Sequence, residues 1–163
     1  MPREHADIKM TPEELREFLQ SENRLVVATL DGDGSGWVDA AAFTFFEDRV
    51  YFRLPVDTRS CRNIQRDNRV CCVVESKPAA ASYYDIKGAM LHGAADAVPQ
   101  PAVPTAVGAA LEAVPDPVTP DASRDGQFFS IGLDDHTSFT FAKIKYRYQD
   151  RVLKSIQADA GLV

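Results

Sequence analysis

Apolar residues first recur at helical spacing at Leu15, Phe18 and Leu19, and from residue 25 onward the pattern becomes strand-like. Thr11-Pro12-Glu13-Glu14 supplies an N-cap, a proline at the first helical position and a glutamate placed to complete a capping box. A helix is therefore predicted from there to about Glu22-Asn23. LVVATL (Leu25 to Leu30) reads as a buried strand closed by the hairpin signal Asp31-Gly32-Asp33-Gly34. Trp37 to Phe46 is the return strand, and Glu47-Asp48 is a tight turn into Arg49 to Leu54. Turns this short make an antiparallel meander.

A proline-containing turn then opens a helix from about Thr58 to Asp67. VCCVVE (Val70 to Glu75) is a β-branched run suited to a central strand. Tyr84 to Val98 reads as one long or bent strand, with Gly88 and Gly93 marking bulges or close backbone approach. Composition shifts at Pro99: six of the ten prolines fall between Pro99 and Pro120. They flank one predicted helix, Thr105 to Val114, in a surface excursion spanning 99–126. Phe128 to Leu133 reads as a short strand. Ser138 to Tyr148 reads as a long one, whose aromatic residues change parity near Ala142-Lys143 and so predict a bulge. After Asp150 a disordered end and a short docking helix both stand open.

About six strands, few helices and mostly short turns predict a mainly β fold. The economical form is a closed or nearly closed six-stranded antiparallel barrel with a few short flanking helices, because it leaves no long bare edge. A chain of 163 residues fits a single domain over 1–163, with its core in 11–98 and 127–148.

Hydrophobic content of 45% and charged content of 26% are ordinary globular values. A net charge of -6 argues against a nucleic-acid partner, which wants a basic face. Cys71 and Cys72 are neighbours on a strand and point to opposite faces, a poor disulfide geometry. The histidines (His5, His92, His136) are scattered and no metal-ligand spacing appears. MPREHADIKM is charged and polar, with no leader-like or membrane-spanning stretch, so reduced thiols and a cytoplasmic location are expected.

Against that acidic background, Arg53, Arg59, Arg62, Arg66 and Arg69 cluster within seventeen residues. The stretch VYFRLPVDTRSCRN carries a strand into the start of a helix. Free N–H groups there, the hydroxyls of Thr58 and Ser60, and Arg59 make a phosphate site. Arg53 on the preceding strand could add to it. A solvated helix face with i,i+4 charge pairs is the competing reading. Cys61, beside the arginines near the helix N-terminus, is in a setting that lowers a thiol pKa.

The order of these fragments, LVVATLDGDGSGWVDAAAFTFFEDRVYFR, DTRSCRN, QRDNRVCCVVE and IKGAMLHGAADAV, resembles the pyridoxamine 5'-phosphate oxidase-like split β-barrels, which bind FMN or a deazaflavin. The resemblance covers residues 11–98, and more loosely the last strand. It implies a flavin phosphate held by a Ser/Thr-Arg-Lys triplet, matched by Thr58, Arg59 and Ser60, with serine replacing lysine. Arg53 or Arg62 would restore the lost charge. It further implies a flavin ring laid against the strand carrying Trp37, Asp39, Ala40 and Ala42, and approached by Lys87 and Gly88. The oxidases that name the family carry a basic residue near each end of that strand. Trp37 and Ala42 stand there instead, so a substrate other than pyridoxamine phosphate is expected.

The resemblance thus implies an FMN-dependent oxidoreductase acting on a small molecule, with no dedicated catalytic side chain. It also implies a homodimer with flavin sites at the interface. Two alternatives stay open: a deazaflavin-dependent reductase, or a non-catalytic flavin- or haem-binding module. His92 would matter for haem, which needs an accessible imidazole.

Overall fold

The first helix, α1 (Pro12–Ser21), starts where its capping box dictates. The Glu14 N–H donates to Thr11 Oγ1 at 3.2 Å, and the Thr11 N–H donates to Glu14 Oε2 at 2.7 Å. Leu15, Phe18 and Leu19 form its buried face. The computed structural model describes residues 8–76, 83–114 and 125–144.

The meander forms as predicted from β1 (Arg24–Leu30), β2 (Gly36–Phe46) and β3 (Arg49–Pro55). Its first turn places Gly34 at φ +82, where a glycine is free of Cβ strain. Its second turn puts both Glu47 and Asp48 at positive φ, the twist a two-residue hairpin needs. The long β2 serves two partners: Gly36 to Ala42 pair with β1, and Phe43 to Phe46 pair with β3. The helix α2 (Arg59–Arg66) and the strand β4 (Arg69–Glu75) follow.

The expected single strand from Tyr84 to Val98 is instead a 3-10 turn at Tyr83–Asp85 followed by two strands, β5 (Lys87–Ala94) and β6 (Asp96–Val98). The break falls at Ala95, which is buried and donates its N–H to the Asn68 carbonyl at 2.8 Å. That bond takes Ala95 out of the ladder, so β6 leaves β4 and pairs with β7 (Gly126–Gly132). The last strand, β8 (His136–Thr140), stops short of the predicted extent. The Phe141 N–H bonds to the Ile86 carbonyl, and a helical turn begins at Ala142 where a bulge was expected. The rest of the predicted strand, from residue 145, and the tail lie outside the described residues.

Among the described residues eight strands therefore run β6-β7-β3-β2-β1-β4-β5-β8 in one curled antiparallel sheet, the mainly β half-barrel expected, with eight strands where about six were counted. Because β6 follows β5 directly, the sheet nearly returns on itself. Inward residues such as Val27, Phe43, Phe52, Cys72, Leu91 and Phe129 fill the interior, with α1 packed against them. The predicted helix of the Pro-rich excursion forms as α3 (Thr105–Glu112), and buries Val107 and Leu111 against Ala42 and Phe128 outside the curl. Among the described residues no helix is long and apolar enough to cross a membrane.

Candidate functional site

The N-terminus of α2 meets the end of β1 and the start of β2. Thr58 caps the helix, accepting from the Cys61 N–H at 3.3 Å and donating to the Pro55 carbonyl at 2.7 Å. The first-turn N–H groups of Arg59 and Ser60 have no intrahelical carbonyl to bond. Strand alternation sends Trp37 and Asp39 to the inward face of β2, toward this helix end. Trp37 Nε1 donates to Asp39 Oδ2 at 3.0 Å, and the Ser60 hydroxyl makes a short bond to the same oxygen.

Arg59 is the most heavily engaged cation of the cluster. Its guanidinium carbon lies 4.2 Å from the centroid of Trp37. Arg59 Nε donates to Asp31 Oδ1 at 2.9 Å while Nη2 donates to Oδ2, a two-point carboxylate pair. Asp31 also accepts from Asn63 Nδ2 at 2.8 Å, and Asn63 in turn donates to Thr29 at 3.1 Å. The Arg59 guanidinium, then the Asn63 amide, hold the Asp31 carboxyl below the ordinary range. Arg59, Arg62 and Arg66 with Asp31, Asp33 and Asn63 line an open depression of about 530 Å³.

The structure thus brings together Trp37, Asp39, Thr58, Arg59, Ser60 and Arg62. Arg53 instead points to the α3 side of the sheet, 5.8 Å from the Phe128 centroid, and does not line the depression. Ala40 lies on the exposed outer face of β2, while Ala42 is buried beneath α3. Lys87 and Gly88 pair near Glu75 at the far end of the sheet from Arg59. Lys87 opens onto a separate groove of about 540 Å³ with Met10, Glu14, Phe18 and Lys143. Gly88 is a close approach, as expected, because a Cβ there would lie 2.5 Å from the Phe139 ring. Asp31 and Asn63 were legible only as a turn residue and a helix residue.

The lowered thiol pKa expected for Cys61 is overturned: its side chain is buried, and burial pushes the thiol up against the weaker pull of Arg62. Cys72, also buried, is pushed up to about 12, first by burial and then by neighbouring Cys71.

The family model for pyridoxamine 5'-phosphate oxidase matches residues 11–133, which is more than half of the chain and includes every element of the Arg59 cluster. The chain belongs to that family. Solved structures agree in fold. A conserved hypothetical protein from Mycobacterium tuberculosis superposes with TM-score 0.71 at 22% identity, covering 86% of this chain and 91% of its own. An FAD-binding protein from Mesorhizobium loti gives 0.63 at 13% identity, with 80% and 94% covered. The FAD and heme binding protein from Mycobacterium smegmatis gives 0.61 at 14%, with 80% and 71% covered. No curated protein matches the chain significantly. Ser60, where the resemblance implies a lysine, is buried and bonds to Asp39.

Proposed function

We propose that this chain is an FMN-dependent oxidoreductase acting on a small molecule as a homodimer. The observation that carries the reading is Arg59, half-exposed at the mouth of a shared depression and spread over Trp37 at the N-terminus of α2. A flavin phosphate fits the donors present. Arg59, Arg62 and the first-turn N–H groups of α2 would hold it, and the helix dipole would favour its charge. The hydroxyls of Thr58 and Ser60 are committed to the cap and to Asp39, and the Thr58 N–H donates to the Pro55 carbonyl at 3.1 Å, so of the two Ser60 would contribute its backbone N–H. Two proteins of the same fold bind FAD, which supports a flavin over other phosphorylated ligands.

When bound, a flavin supplies hydride chemistry, and the protein's part is binding, orientation and exclusion of water. The homodimer rests on the outer face of β1, β2, β4 and β5. Val38 is 59% exposed there and Val26 43%, and in register Val26 adjoins Val73 and Val73 adjoins Met90. A contiguous apolar face of this kind marks an interaction surface.

The test is titration of the purified protein with FMN, followed by flavin fluorescence, and then addition of NADH or NADPH. Saturable binding and bleaching of the bound flavin are expected. Absence of saturable binding would contradict the cofactor, and a Soret band in the purified protein would point to haem.

A further inference from the structure

We infer that Asp31 sets the anion affinity of the Arg59 site, as an internal carboxylate that competes with a ligand phosphate for the Arg59 charge. The inference rests on the flavin-phosphate reading and adds a residue with its own effect. Asp31 takes the Nε/Nη2 edge of the Arg59 guanidinium with its two oxygens, leaving the Nη1 donors and one Nη2 hydrogen for a second anion. A phosphate meeting the remaining donors shares the guanidinium with Asp31, so the two anions compete for one positive charge.

The competition is built into the fold. Asp31 opens the β1–β2 hairpin, where its N–H donates to the Ser35 carbonyl at 2.8 Å. Buried Asn63 holds Oδ1 at 2.8 Å, and the Ser35 hydroxyl reaches Oδ2 at 3.4 Å. Asn63 thus holds the carboxylate in place beside Arg59, while the Ser35 hydroxyl has its shorter bond, 2.6 Å, to Asp33 Oδ1. Trp37 lies beneath the guanidinium and gives it a surface to pivot on.

Charge bookkeeping points the same way. Three guanidinium groups and two carboxylates line the depression, leaving one surplus positive charge for a phosphate that carries nearly two negative ones. Removing the Asp31 charge raises that surplus and frees the Nε/Nη2 edge of Arg59 in one step.

The test compares FMN with riboflavin, which lacks the phosphate, in the wild-type protein, in Asp31→Asn and in Asp31→Ser. Asparagine keeps a side chain able to bond Asn63, and serine serves if the asparagine variant fails to fold. Removing the carboxylate should raise FMN affinity about tenfold and leave riboflavin affinity unchanged. An unchanged or lower ratio of FMN to riboflavin affinity, in a protein whose wild type prefers FMN, overturns the role of Asp31 and leaves the cofactor reading standing. If neither the wild type nor any variant distinguishes the two flavins, both readings fall.

Discussion

The guanidinium of Arg59 stacks on Trp37 while its donors face Asp31, so one side chain joins the β1–β2 hairpin to the start of α2. Trp37 is the only tryptophan of the chain, and its emission therefore reports on this site alone. Binding of FMN should change that emission in step with occupancy. Trp37→Leu removes the platform and should weaken FMN about two- to fivefold with riboflavin less affected. Emission indifferent to saturating FMN would place the ligand elsewhere.

Ser60 and Asp39 form a second pairing beneath the first. Ser60→Ala leaves Asp39 with Trp37 Nε1 as its remaining named donor. A loss of about 1–2 kcal/mol of stability is expected in urea unfolding. A neutral result would mean that the hydroxyl is dispensable to the packing of α2 on β2.

How much of this was readable beforehand depended on range. The capping box of α1, the two hairpin turns and the start of α2 are signals contained within four or five residues, and each formed where it was expected. The break of the long strand at Ala95 was not readable, because it is made by the Asn68 carbonyl and by pairing of β6 with β7. The site shows the same division. Thr58, Arg59 and Ser60 announce a helix start, but the carboxylates that engage them lie 28 and 21 residues away. No local pattern distinguishes Asp31 as a turn former from Asp31 as a counter-ion.

Glu14 gives a pH dependence of defined sign. Lys143, donating at 2.7 Å, and then the Thr11 N–H hold its carboxyl below the ordinary value of 4.5. A lowered carboxyl stabilises the folded chain fully above that ordinary value, and the contribution fades as the pH falls through the lowered one. The Tm difference between wild type and Glu14→Gln should accordingly be present at neutral pH and vanish on acidification. A difference that grows in acid would reverse the assignment.

The outer apolar face yields a test of assembly. Val73→Glu puts a charge at its centre, between Val26 and Met90, and should convert a dimer to a folded monomer in sedimentation at unchanged circular dichroism. Cys71, half-buried on the same face, should then become the first thiol to react with a disulfide reagent. Cys61 and Cys72, buried and with raised pKa values, should stay inert until unfolding. A monomeric wild type would dismiss the interface.

The most direct measurement is calorimetric titration of wild type and Arg59→Ala with FMN and with riboflavin. The substitution should weaken FMN at least tenfold while riboflavin binding barely changes, because the lost contact is to the phosphate alone. Equal weakening of both ligands, or FMN binding unaffected by the substitution, would contradict a phosphate anchor at the N-terminus of α2.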